Sequence, residues 1–255
     1  MDNTFIQIDG DLALSLASSV VSSLDGNFDY LFNILEENRI QKCAKASRRT
    51  LLHDYIGCVL MWNLTYIMLK HFDEEAIDEM KMWLDSTGIT YNDLGEQPSD
   101  EDYKALEKYA DLLQTRLAER ALDKIEDAVF AILFVDKDFL YRFNSKITEV
   151  ICTLKAEDYP EIFQADGYLK RENTPNWVKR GVFHRDRGRC QGCGTDLSRI
   201  FLNDNSENYD HIIPLKNGGT NDPTNIQLMC ERCNKSKNAR SSEYRNVIWT
   251  YWETE

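Results

Sequence analysis

The chain is poor in the residues that punctuate folds: five prolines and twelve glycines in 255 residues, with no proline before Pro98. Strand-like alternation is missing as well. From Leu12 to about Lys155 apolar residues recur at intervals of three and four, which is the period of a helix packed on one side. A long apolar run is also lacking. The most apolar stretch, Gly57 to Leu69, is interrupted by Asn63 and Thr65 and follows His53 and Asp54, so it falls short of the ~20 clean residues of a membrane span. It reads as a buried helix, and no membrane partner is expected. The start, Met1-Asp2-Asn3, is acidic and carries no export signal pattern, which points to a cytoplasmic location. There is no internal repeat and no low-complexity tract.

Charge is unevenly spread. Residues 1–170 hold 17 Lys and Arg against 32 Asp and Glu, whereas 171–255 hold 13 against 11. Within 174–240 the balance turns basic, 11 against 7, as suits a segment that approaches a polyphosphate inside an otherwise acidic protein. The seven cysteines are odd in number, and three of them (Cys43, Cys58, Cys152) stand alone in helical surroundings. That argues against a disulfide framework and leaves metal binding as the use of the remaining four.

The helical stretch divides into segments near 11–24, 28–44, 47–71 and 121–155, the last with a break around 136–138. Another helix opens at Asp73-Glu74-Glu75 and ends near Gly88, acidic at its positive end and glycine-stopped at the other. Ser99 with Asp102 three positions on makes a capping box for a helix whose Tyr103, Leu106, Ala110, Leu113 and Leu117 share a face. Residues 157–174, with Pro160 and Gly167, look like a connection. The expected architecture is mainly α, an acidic all-α region over 1–165 followed by a small α+β domain over 166–255 with its core at about 175–240.

That second region carries the chemistry. Cys190-Gln191-Gly192-Cys193 and Cys230-Glu231-Arg232-Cys233 have the two-residue gap that turns both thiolates of a pair onto one tetrahedral ion. Four sulfur ligands with no open position imply structural zinc. Between and after the pairs stand Asn208-Tyr209-Asp210-His211-Ile212-Ile213-Pro214, then Gly218-Gly219, Asn225 and Cys233-Asn234, preceded by Arg185-Asp186-Arg187-Gly188-Arg189.

These residues, in this order, resemble the zinc-containing subgroup of HNH endonucleases, over about 175–240. The resemblance implies a ββα-metal fold with two antiparallel strands and a helix around one catalytic metal. It implies His211 as general base, Asn225 as the side chain that accepts from the imidazole and fixes its tautomer, and Asp210 with Asn234 as holders of Mg²⁺ or Mn²⁺. The products would be 5′-phosphate and 3′-hydroxyl ends. The family is named for a final histidine where this chain has Asn234; an oxygen ligand there shifts the metal preference toward a hard cation. His53, His71 and His184 read as structural.

Arg185, Arg187 and Arg189 beside the first cysteine pair, with Lys179 and Arg180, and Lys235, Lys237 and Arg240 after the second, are candidate phosphate contacts. DNA is the expected substrate, with RNA open beside it, and no sequence-reading helix is visible. An acidic helical region repels nucleic acid and is expected to contact a protein partner or a second copy of the chain. Small nucleases on unfamiliar helical domains resemble microbial antiphage defence effectors. The rival from another class is a non-catalytic, zinc-stabilised module that binds nucleic acid or protein.

Overall fold

The computed structural model describes residues 8–26, 28–70, 74–99, 101–198 and 209–237. The helices in chain order are α1 (Gly10–Gly26), α2 (Phe28–Leu31), α3 (Glu37–Ala44), α4 (Leu51–Lys70), α5 (Glu74–Ser86), α6 (Tyr103–Arg116), α7 (Leu122–Leu133), α8 (Lys137–Ile151), α9 (Asn176–Arg185) and α10 (Glu231–Lys237). A π-helical turn, Leu117–Ala121, joins α6 to α7. Two small antiparallel sheets complete the described residues: β1 (Phe163–Ala165) with β2 (Tyr168–Leu169), and β3 (Tyr209–His211) with β4 (Ile226–Leu228). The fold is thus mainly helical, with a small α+β portion that carries the cysteine pairs.

Local chemistry explains where helices stop. The stretch 28–44 is two helices and not one, because the Asn33 side chain accepts from Leu35 N at 3.0 Å and its carbonyl accepts from Arg39 Nη1 at 2.9 Å. An asparagine bonding its neighbours' backbone competes with the helical ladder. The break expected at 136–138 is a cap: the Asp136 carboxylate accepts from Phe139 N at 3.0 Å and opens α8. Asp102, not Ser99, caps α6, accepting from Ala105 N at 3.2 Å. Tyr103 then becomes the first helical residue and stays exposed, while Leu106, Ala110, Leu113 and Leu117 are buried. At the end of α5, Gly88 adopts φ 68°, and Ile89 N returns to Leu84 O at 3.0 Å in the manner of a glycine C-cap.

The chain gathers into two compact units that alternate along it: Met1–Phe32 with Leu52–Leu133, and Asn33–Leu51 with Phe134–Glu255. The composition change near residue 165 therefore falls inside the second unit, which also takes 33–51 and 134–165 from the acidic region. In the first unit α1 packs on α7, and Val20, Leu24, Tyr55, Ile56, Val59, Leu60, Trp83, Ile125 and Val129 are fully buried or nearly so. Among the described residues no helix is long and apolar enough to cross a membrane.

In the second unit Phe139, Leu140, Phe143 and Ile147 form the buried side of α8. A separate cluster, Val178, Val182, Cys190, Leu197, Ile226, Leu228 and Met229, joins α9 to the first cysteine pair and β4. So few apolar side chains make a marginal core, of the kind that small domains reinforce with a metal ion.

Candidate functional site

The four sulfurs of Cys190, Cys193, Cys230 and Cys233 lie within 4.8 Å of one another, with Cys193 Sγ and Cys230 Sγ 3.8 Å apart. Tetrahedral zinc with Zn–S bonds of about 2.3 Å spaces its sulfurs by roughly 3.8 Å, so the residues fit that ion. Each pair sits in a turn that aims backbone donors at sulfur: Gly192 N to Cys190 Sγ and Cys233 N to Cys230 Sγ, both at 3.4 Å. The Thr195 hydroxyl beside Cys193 holds its thiol below the ordinary range, and burial pushes Cys190 and Cys233 above it. The thiols thus do not all ionise at neutral pH by themselves; an ion that binds them releases protons.

β3 and β4 pair with Tyr209 opposite Leu228, Asp210 opposite Gln227 and His211 opposite Ile226, and α10 follows after Met229 and Cys230. The connecting loop, 212–225, folds back on itself through 3₁₀ turns at Leu215–Asn217 and Pro223–Asn225. Asn225, with no exposed surface, staples it: Oδ1 accepts from Ile213 N at 2.9 Å, while Nδ2 donates to Ile213 O at 3.0 Å and Thr220 O at 2.9 Å. The side chain is spent on backbone and has no bond to the imidazole, which corrects the role expected for it. The reason is steric economy: a loop that turns this tightly buries peptide groups which an amide, with one acceptor and two donor hydrogens, can satisfy.

Gly219 shows how tight the turn is. A Cβ there would stand 1.8 Å from Ile213 O and 3.0 Å from Asn225 Nδ2. Gly219→Ala is therefore expected to destabilise the second unit by about 3 kcal/mol, the upper range for forced overpacking, and urea unfolding followed by tryptophan fluorescence checks it.

Asp210, His211 and Asn234 line one cavity of about 210 Å³, together with Tyr168, Arg171, Pro214, Leu215, Lys216 and Lys237. The three side chains named by the motif are thus brought together, and Asn225 is not among the lining residues. His211 is 5 % exposed; burial first, then the Arg171 guanidinium, pushes its pKa down from 6.5 to about 4. Its Nε2 lies 3.3 Å from Asn221 Oδ1. Lys237 reaches back from the last turn of α10 to Asp210 Oδ2 at 2.7 Å and to the carbonyls of His211 and, at 3.0 Å, Ile212. Three oxygens around one ammonium make a seat for positive charge, and Asp210 and Asn234 bring oxygens of the hard-donor kind to the same cavity.

The basic candidates divide. Arg185 is buried: Nε and Nη2 donate to the Asp186 carboxylate at 2.8 and 3.1 Å, and Nη2 also to Ile226 O at 2.6 Å. Its charge is used inside, where Asp186 also accepts from Leu228 N at 2.7 Å, so it is a framework residue and not a phosphate contact. Lys237 is likewise committed to Asp210, and Lys235 pairs with Glu231. Arg187 and Arg189 are exposed; Arg240 lies outside the described residues. Two of the three cations that line the cavity, Arg171 and Lys216, were missed in the sequence, although Arg171 opens the basic segment and Lys216 follows the Asp-His step by five residues.

Two antiparallel strands and a helix, presenting an aspartate, a histidine and an asparagine to one polar cavity beside a four-cysteine cluster that fits zinc, define a small ββα module. The model of the HNH endonuclease family matches residues 190–240 of this chain, a stretch that begins at the first Cys-x-x-Cys pair and includes β3, β4 and α10. No curated protein and no solved structure matches the chain.

Proposed function

We propose that the module is a divalent-metal-dependent endonuclease that hydrolyses phosphodiester bonds of DNA. One observation carries this: a buried, neutral imidazole and two hard oxygen donors line the same cavity. At pH 7 the neutral His211 ring can take the proton of a water that attacks phosphorus. Arg171 and Lys216 at the cavity lend positive charge to the non-bridging phosphate oxygens. Asp210 and Asn234 would hold Mg²⁺ or Mn²⁺, which would supply neutralisation of the charge that builds on phosphorus and on the departing oxygen. Asn225 keeps the loop that follows His211 in shape, and structural zinc on the four cysteines holds the strands and α10 together.

The reading extends to biology in outline only: an effector of the kind used in microbial antiphage defence, held in check through the acidic helices or a partner that binds them. Their charge makes them a poor surface for a polyanion and a better one for protein.

One observation favours a second reading. Lys237 already fills the seat beside Asp210, and a lysine that never yields it would leave a zinc-stabilised module that binds nucleic acid without cutting. Supercoiled plasmid incubated with the full chain and magnesium, manganese or chelator separates the two. The nuclease nicks or linearises DNA with either ion and stops when the ion is withheld. A complex that shifts on a gel yet stays uncut with both ions supports the second reading.

A further inference from the structure

We infer that Asn221 is the positioning residue for the imidazole: it selects Nδ1 of His211 as the basic atom by holding a hydrogen on Nε2. This rests on His211 serving as the general base. Asn221 is 6 % exposed and lies four residues before the motif's asparagine. Its Nδ2 donates at 2.8 Å to Ala44 O and at 2.8 Å to Lys170 O, and its backbone N–H donates to Cys43 O at 2.8 Å. Both amide hydrogens are committed. Flipping the amide would turn its oxygen onto two carbonyl oxygens, so the orientation is fixed.

That orientation presents Oδ1 to His211 Nε2 at 3.3 Å, with Glu172 N–H donating to the same oxygen at 3.4 Å. An amide oxygen only accepts. The ring nitrogen facing it must then carry hydrogen, and the lone pair resides on Nδ1. Asn225 does not do this: its amide is joined to Ile213 N–H, Ile213 O and Thr220 O, and no hydrogen bond links it to the imidazole. The anchors of Asn221 at Cys43 and Ala44 close α3, and Lys170 follows β2. All three lie outside the 190–240 match, so the aim of the base depends on residues that the family pattern does not contain.

The test uses the full-length, zinc-loaded protein labelled with ¹⁵N-histidine, at pH 7.5 without added magnesium or DNA. Long-range imidazole correlations report the tautomer, and His211→Gln identifies the signal among the four histidines. The wild type is expected to show Nε2–H at His211. Asn221→Ala is expected to give a mixture of tautomers and, in the plasmid assay, a kcat lowered about 10- to 100-fold with KM unchanged.

A wild-type ring protonated on Nδ1 overturns the inference, and so does an Asn221→Ala protein with the wild-type tautomer. Should that variant fail to fold, the wild-type spectrum still decides. A wild type that shows Nε2–H yet cuts no DNA supports the positioning of the ring and counts against the nuclease reading, so the two are told apart.

Discussion

His211→Ala is expected to slow plasmid cleavage by about 10²- to 10⁴-fold, the contribution of a positioned general base. Binding of uncut DNA in magnesium-free buffer should remain. The size follows from what alanine leaves behind: Asp210, Asn234, Arg171 and Lys216 still line the cavity, so charge neutralisation survives while proton removal falls to bulk water. A variant that cuts at the wild-type rate would remove His211 from the chemistry. The same residue gives a signature in stability. Its folded pKa, about 4, is below the value near 6.5 of an unfolded histidine, so on acidification the unfolded chain takes the proton first. Stability from this source is complete above about pH 6.5 and is lost as pH falls toward 4, a change on the order of 3 kcal/mol. His211→Gln should flatten that dependence, read from urea midpoints at pH 7.5 and pH 5.

Removing zinc is expected to have the largest structural effect. Purified protein should carry one zinc per chain, measurable with a chromogenic chelator. Stripping it, or Cys190→Ser, should abolish cooperative unfolding of the second unit while α1 and α4–α7 keep their helical signal. The reasoning is one of scale. Structural zinc contributes roughly 10–16 kcal/mol to small folded domains, whereas the buried apolar cluster around Cys190 is Val178, Val182, Leu197, Ile226, Leu228 and Met229, with Trp177, Phe183 and Tyr209 only partly buried against it. Thiol titration gives an independent reading: Cys152 is exposed and reacts in the native protein, and the four clustered cysteines become reactive only after the metal leaves. Zinc-free protein that melts at the native temperature would sink this account.

Much of this was legible beforehand, for identifiable reasons. Cysteine spacing is short-range geometry, so the four-sulfur cluster could be read directly, and the break at 136–138 could be placed although its cause, the Asp136 cap, could not. The meeting of Asp210, His211 and Asn234 at one cavity was implied by the resemblance to the HNH family. What escaped was long-range. Asn221 was not singled out, because nothing local marks it: Ala44, 177 positions earlier, accepts from its amide. Arg185 looks like a phosphate contact until Asp186 and the Ile226 carbonyl are found around it. The gap in the helix at 32–36 was hidden for the opposite reason: a single asparagine outweighed an otherwise helical pattern.

The alternation of the two compact units also has a bearing on synthesis. Residues 33–51 emerge from the ribosome early, yet Ala44 finds Asn221, and Leu51 N finds the Asp222 carboxylate at 2.9 Å, only after some 170 further residues have been made. Contacts so distant along the chain close late and slowly. On the proposed reading, a nascent polypeptide therefore holds its imidazole unaimed until Asn221 has emerged and reached Ala44, so the site is completed late in synthesis.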